Sequence, residues 1–293
     1  MKTTNPNDVD QILEFLNNAN YQSASYLYKL PQMHNDIRTV ITNAIQDPGV
    51  FAQVNNQDEI TMLLLALKYE DNKYKVLGPF IDKSIKPSIE EMTQLFDALA
   101  QSKPDTANFN FSFEEHEQAY LPFMKSLGAS YSFTDYYLIS TKDIGDVGNE
   151  QNIIEYQPAF YRYFSKLHNQ TFKHDVMTAD EIVKSLDAYH RLFIFMSEGL
   201  LKGYLYLEIA ENNNIAEIKY FSSHSDYRLM GIAFDLLSYS LHFAFSTFDI
   251  DKIYFKIRSK NTTLVERFNE LGFNINYESV SYTHLTLPTT PYV

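Results

Sequence analysis

The residue types best suited to chemistry lie together in Arg228-Leu229-Met230-Gly231-Ile232-Ala233, between a strand pattern and a strongly apolar helical pattern. A strand that turns through small residues into a helix leaves backbone N–H groups unpaired and the positive end of the helix dipole facing outward. That arrangement suits a phosphate or pyrophosphate. Gly231 would let such a ligand approach the backbone closely, and Arg228 would supply positive charge. The same six residues also fit an ordinary helix start.

The elements that must position this loop are readable on both sides of it. Gly203 to Ala210 and Ile215 to Ser222 form a hairpin pattern around Asn212-Asn213-Asn214, and Gly231 to Ala244 follows as a helix. Two helical patterns between Tyr156 and His190 and a strand over Leu192 to Met196 come before them. The first half repeats this order. Ile60 to Leu67 and Lys73 to Ile81 flank the turn Glu70-Asp71-Asn72, and a helix over Ile89 to Ala100 follows. A strand-helix-turn unit then recurs at a constant offset of 144, taking Phe109 to Ile253, Tyr120 to Leu264, Met124 to Phe268 and Gly128 to Gly272. The gapless match implies an internal duplication. Strands alternating with helices, with antiparallel hairpins among them, give an α/β or α+β fold with a mixed sheet.

The chain of 293 residues is long enough for two domains, each with its own core. The glycines and acids of Asp143-Ile144-Gly145-Asp146-Val147-Gly148-Asn149-Glu150 mark the expected linker, giving domains over 1–145 and 150–280. Ser281 to Val293 contains no charged residue, shows no helix or strand period and resembles translated cloning adaptor, so it reads as a non-native tail. A net charge of −13 disfavours nucleic acid and anionic membrane surfaces as partners. The absence of cysteine excludes disulfides and thiolate nucleophiles. No apolar run follows Lys2, and the longest, Met62 to Leu67, falls far short of the roughly 20 residues that span a bilayer. A cytoplasmic protein is expected. The eight histidines form no zinc motif, so no metal is expected, and His168, near a helix end, reads as a surface residue.

Arg228-x-x-Gly231-x-Ala233 resembles the R/Q-x-x-G-x-G/A acetyl-CoA motif of the GNAT N-acetyltransferase family. Asn261-Thr262-Thr263-Leu264-Val265-Glu266-Arg267-Phe268-Asn269-Glu270-Leu271-Gly272-Phe273 is similar to that family's N-x-x-A-x-x-x-Y-x-x-x-G-F. The resemblance covers Ile153 to Val280. It implies two GNAT-like domains in tandem, with acetyl-CoA bound in the second. The first half has Ile85-Lys86-Pro87-Ser88-Ile89-Glu90-Glu91 where the phosphate loop should be, so it reads as degenerate, its helix start closed by a Ser88–Glu91 capping box.

By the same resemblance, the backbone from Arg228 to Ala233 would bind the CoA pyrophosphate and Asn261 would help hold the pantetheine arm; Asn261 fits a helix N-cap equally. An amide near Phe221, Ser222 or Ser223 would stabilise the developing oxyanion. Transfer to a primary amine needs a base, because a lysine-like amine with pKa near 10.4 is protonated at neutral pH. Glu217, eleven positions before Arg228, stands where some family members carry a glutamate base, though it also fits a solvated face beside Lys219. His224 would be a second proton carrier, or a plain loop histidine. Tyr204 and Tyr206 share one strand face with Glu208 and would line an acceptor cleft, or else belong to the core. Phe268 stands at the motif position where the family commonly has a tyrosine that protonates the departing thiolate, and by the same resemblance would contact the cofactor.

The implied activity is direct transfer of an acetyl group from acetyl-CoA to a small-molecule or peptide amine. A non-catalytic acyl-CoA sensor is the alternative. An aminoacyl-tRNA-dependent transferase fits less well with the acidic charge.

Overall fold

The computed structural model describes residues 2–20, 34–47, 49–114, 120–141, 150–173, 176–210, 214–224, 226 and 231–285. The chain forms two compact units, Met1–Asp135 with Glu278–Val293, and Tyr136–Tyr277.

The first unit contains β1 (Lys2–Thr4), α1 (Val9–Asn18), β2 (Ala19–Asn20), α2 (His34–Gln46), β3 (Val50–Val54), β4 (Ile60–Glu70), β5 (Lys73–Asp82), α3 (Ile89–Gln101), β6 (Asn108–Glu114) and α4 (Tyr120–Ser126). β7 (Ser130–Ser140) leads out of it. Its sheet runs β1-β3-β4-β5-β6, with β5 and β6 parallel and the other neighbours antiparallel. Met62, Leu64 and Ala66 of β4 pack under α3 and α4, and Leu63 and Leu65 pack under α1 and α2. Both faces are therefore covered, which is why this strand is a continuous apolar run rather than an alternating one.

The second unit contains β8 (Ile153–Glu155), α5 (Tyr161–Thr171), α6 (Ala179–Ser185), β9 (His190–Ser197), β10 (Leu200–Ala210), β11 (Ile215–Ser223), α7 (Ile232–Thr247), β12 (Lys252–Arg258) and α8 (Thr262–Glu270). Its sheet runs β8-β9-β10-β11-β12, antiparallel except for the parallel pair β11 and β12. Leu205, Leu207 and Ile209 pack with α7 and α8, while Tyr204 and Tyr206 pack with α5 and α6. No helix among the described residues is long and apolar enough to cross a membrane.

The repeat is physical as well as textual. Phe109, Phe111 and Phe113 of β6 are buried alternately, as are Ile253, Phe255 and Ile257 of β12. Both hairpin turns use an asparagine with positive φ, Asn72 at 56° and Asn214 at 54°, a conformation asparagine tolerates better than most residues. Both strand-helix units end on a left-handed glycine, Gly128 and Gly272, as helix ends favour.

Two boundaries differ from the sequence reading. The linker expected between 145 and 150 lies almost wholly outside the described residues, and the division into units falls between Asp135 and Tyr136, inside β7. Of the stretch read as a patternless tail, Ser281 to Leu285 belong to β13 (Asn274–Leu285), whose residues Ser279 to Leu285 pair antiparallel with β6 in the first unit, and 286–293 lie outside the described residues. Tyr277, Ser279 and Ser281 are alternately buried there, and the Ser281 and Ser112 hydroxyls hydrogen-bond at 2.8 Å. Within 281–285 only Ser281 is buried, and its hydroxyl finds its partner across the sheet, so no local period marks the strand.

Candidate active site

β11 and β12 share a register only from Ile215 opposite Lys252 to Ile218 opposite Phe255, after which β11 continues alone to Ser223. Just past the last shared pair the ladder to β10 slips: Leu207 faces Ile218 but Tyr206 faces Tyr220, so Lys219 is an extra residue in β11. A bulge of this kind re-aims the strand. Ile218 and Phe221, three apart, both pack toward α7 and α8, while Tyr220 packs toward α5 and α6. Glu217, Tyr220 and Ser222 consequently lie on the α5 and α6 face. Beyond Phe255 no residue of β12 stands in register with β11.

α7 begins beside this gap. Its N-cap is Gly231, at φ 75°, which brings no capping side chain. The first intrahelical bond runs from the Asp235 N–H to the Gly231 carbonyl at 3.0 Å, so the N–H groups of Ile232, Ala233 and Phe234 stand ahead of the helical ladder. A Cβ built at Gly231 meets nothing within 4 Å, so the space in front of the helix end is open. The end is held close to the sheet by Gly203, where a Cβ would lie 3.0 Å from Ile232 Cγ2, 3.1 Å from Leu236 Cδ1 and 3.1 Å from the Ser222 carbonyl. A glycine inside a strand pattern signals such an approach. Gly203→Val should push the first turn of α7 off β10 and cost about 1–3 kcal/mol, read as a lowered denaturation midpoint.

Of the loop residues, Arg228, Leu229 and Met230 lie outside the described residues, while Gly231, Ile232 and Ala233 form the helix start. Ser222 is buried and its hydroxyl hydrogen-bonds Thr171 at 2.8 Å; Ser223 pairs with Gly203; Phe221 packs against the core. His224 donates its backbone N–H to the Lys202 carbonyl at 2.8 Å, and its ring lies 3.6 Å from Asp226. Asn261 occupies the N-cap of α8, but its side chain makes no cap bond and is exposed. Three assignments change. Phe268 is fully buried, stacked on Phe255 with centroids 4.4 Å apart, and presents nothing to a cofactor. Tyr204 and Tyr206 are also fully buried, because α5 and α6 cover their face. Their hydroxyls bond inward, Tyr204 to His168 and Tyr206 to Ser185, and burial pushes the Tyr206 phenol up to about 12.

His168 is the residue that sequence reasoning missed. It is only 1% exposed and lies between Tyr204 and the loop before α6. The Met177 carbonyl, 2.8 Å from Nε2, can only accept, so Nε2 carries the proton and Nδ1 accepts from the Tyr204 hydroxyl at 2.6 Å. The Met177 N–H in turn donates to the Tyr220 hydroxyl at 2.8 Å. Side chains from α5 and β11 thus hold both backbone groups of Met177. Burial pulls the His168 pKa below its usual value, with the Met177 bond opposing in part. The unfolded chain therefore takes up a proton before the folded one as pH falls through about 6.5, and stability is lost on acidification. His168→Gln, which does not titrate, should remove that loss. Thermal melts of the two proteins between pH 7.5 and 5 should converge toward the acid end, by about 1.4 kcal/mol for each unit of depression.

Glu217, Glu208 and Lys219 form one cluster, with the Lys219 ammonium 2.7 Å from Glu217 and 3.5 Å from Glu208. Burial lowers the Lys219 pKa, but the two carboxylates more than offset this and hold it above its usual value. The cluster carries one negative charge in excess. Among the described residues no group of three acidic or histidine side chains could hold a metal.

Residues 153–273 match the acetyltransferase (GNAT) family. No curated protein sequence matches the chain. Among solved structures, a GCN5-related N-acetyltransferase from Sphaerobacter thermophilus aligns with 98% of this chain and 96% of its own at 12% identity and a TM-score of 0.73. A tandem GNAT protein from the clavulanic acid biosynthesis pathway aligns over 96% and 95% at 12% identity with a TM-score of 0.62. A GNAT-family acetyltransferase from Colwellia psychrerythraea aligns over 97% and 100% at 11% identity with a TM-score of 0.60. At these identities the likeness shows the tandem fold alone.

Proposed function

We propose that the second unit, whose residues 153–273 match the acetyltransferase (GNAT) family, transfers an acetyl group from acetyl-CoA to a primary amine, directly between the two bound substrates. One observation carries this reading: β11 parts from β12 beside a helix start whose N-cap is a left-handed glycine with open space before it. The gap suits a narrow arm bearing amide groups, and the helix start suits a pyrophosphate. Acetyl-CoA supplies the thioester. The protein supplies N–H groups of Ile232 and Ala233 to the pyrophosphate, the freed edge of β11 at Phe221 to Ser223 to the arm and the thioester carbonyl, and the exposed amide of Asn261 to the arm. Arg228, Leu229 and Met230 complete the loop, with the guanidinium as counter-charge.

Glu217, on the α5 and α6 face two residues before the bulge, takes the amine proton, directly or through a water. The excess negative charge of its cluster favours a cationic acceptor, whether a small molecule or a peptide. His224, half-exposed at the end of β11, provides a second route for that proton. A second reading is a protein that binds acyl-CoA without turnover, favoured by Phe268, which is in the core and has no proton to give. Calorimetric titration with acetyl-CoA, followed by a thiol-release assay over a panel of amines, separates the readings. Binding with release supports transfer, binding without release for any amine supports the sensor, and no binding removes both.

A further inference from the structure

The two units share a local design at two places and differ at both. In each, the second hairpin strand runs parallel to the strand after the helix for only a few residues: Lys73 to Lys75 beside Asn108 to Asn110 in the first unit, Ile215 to Ile218 beside Lys252 to Phe255 in the second. β5 then continues to Asp82 and β11 to Ser223, each with an edge that its parallel neighbour has left. In the second unit no described segment pairs with that edge. The end of α5 and the segment after it reach β11 at side chains of β11, the Thr171 hydroxyl at that of Ser222 and the Met177 N–H at the Tyr220 hydroxyl.

In the first unit the chain leaving α1 enters the edge itself. Ala19 and Asn20 pair antiparallel with Asp82 and Ile81, while Met62 of β4 holds the other side of Ile81. A strand has two edges, so β2 lies on the one that β6 left. The helix starts differ in the same sense. Where α7 opens on Gly231, α3 opens on Ser88, whose hydroxyl accepts from the Glu91 N–H at 3.2 Å, while the Glu91 carboxylate accepts from the Ser88 N–H at 2.7 Å and from its hydroxyl at 3.0 Å. These bonds hold the Glu91 carboxyl below its usual range. An anion is already seated there.

We propose that the first unit keeps the outline of an acyl-CoA slot but fills it with its own chain, the backbone of Ala19–Asn20 standing in the place of the amide-bearing arm and the Glu91 carboxylate in the place of the pyrophosphate. The inference rests on the reading of the second unit given above. Its consequence is one acyl-CoA per chain, from a fold with two such slots.

Hydrogen exchange and titration of the full chain test this separately. Without ligand, edge-facing amides of Phe80 to Asp82 should exchange at least tenfold more slowly than those of Lys219 to Ser223, and acetyl-CoA should slow only the latter. Asn20→Pro, which removes the Asn20 N–H, should speed exchange at Phe80 to Asp82 at least tenfold and leave β4 unchanged. Acetyl-CoA should titrate at one equivalent, falling to none in Gly231→Asp. Two equivalents, a residual site in Gly231→Asp, or fast exchange at Phe80 to Asp82 in the wild type would overturn the proposal. Zero equivalents in the wild type would refute the reading of the second unit, and the exchange rates would still decide whether the first unit's edge is filled.

Discussion

Gly231→Asp should lower the affinity for acetyl-CoA at least about 100-fold, roughly 2.7 kcal/mol, while leaving the protein folded. The backbone at this position has φ 75°, so any side chain brings strain of order 1 kcal/mol. The new Cβ itself meets no atom within 4 Å. This left-handed backbone is not the extended one from which a capping side chain bonds the first turn, so the carboxylate acts through its charge, set before the N–H groups of that turn. Those are the groups offered to the pyrophosphate. Hydrogen bonds to a charged group contribute about 1.5–3 kcal/mol each, and the substitution sets like charge against the ligand that would make them. Gly231→Ala separates the causes, since it brings the strain without the charge and should cost less than about tenfold. Calorimetry gives the affinities and a thermal melt the stability. Equal losses for alanine and aspartate would assign the effect to backbone conformation, and an unchanged affinity for aspartate would move the donor away from α7.

The duplication was legible because its carriers are side chains whose burial is set locally. Phe109, Phe111 and Phe113, and Ile253, Phe255 and Ile257, alternate as strands must, and Gly128 and Gly272 end their units for the same conformational reason. What the sequence hides is which faces are covered. The alternation of Tyr204, Tyr206 and Glu208 against Leu205, Leu207 and Ile209 divides two faces, but only α5 and α6 decide that the tyrosines are core. His168 illustrates the same limit, since its partners Met177 and Tyr204 lie 9 and 36 positions away and no local pattern marks them. β2 is two residues long and has no period to read. The pairing of Ser281 with Ser112 is decided by the sheet, across 169 positions. At the candidate site the glycine and the strand-to-helix turn were readable, whereas the early end of the β11–β12 register and the bulge at Lys219 were not, because both are properties of pairing.

Glu217→Gln should lower kcat/KM for amine acetylation by about 10²–10⁴, the range that a positioned general base supplies, with acetyl-CoA affinity within twofold of wild type. The acceptor amine, with pKa near 10.4, is almost wholly protonated at neutral pH and cannot attack until it gives up that proton. Glutamine keeps the size and the contact with Lys219, through its amide oxygen, but cannot accept a proton. Glu208→Gln is the matched control, because Glu208 lies 3.5 Å from the same ammonium and removing its charge perturbs Lys219 in the same direction. Lys219 loses one of two supporting carboxylates in either variant. If Glu217 acts as the base, the rate of Glu217→Gln should recover as pH rises toward the amine's own pKa, where neutral amine no longer needs a protein base, while Glu208→Gln should keep the wild-type profile. Equal losses in the two variants would instead assign the effect to the charge state or position of Lys219. An unchanged rate in Glu217→Gln would leave the 2.7 Å contact as a structural ion pair and send the amine proton through another group, with His224→Gln the next variant to measure.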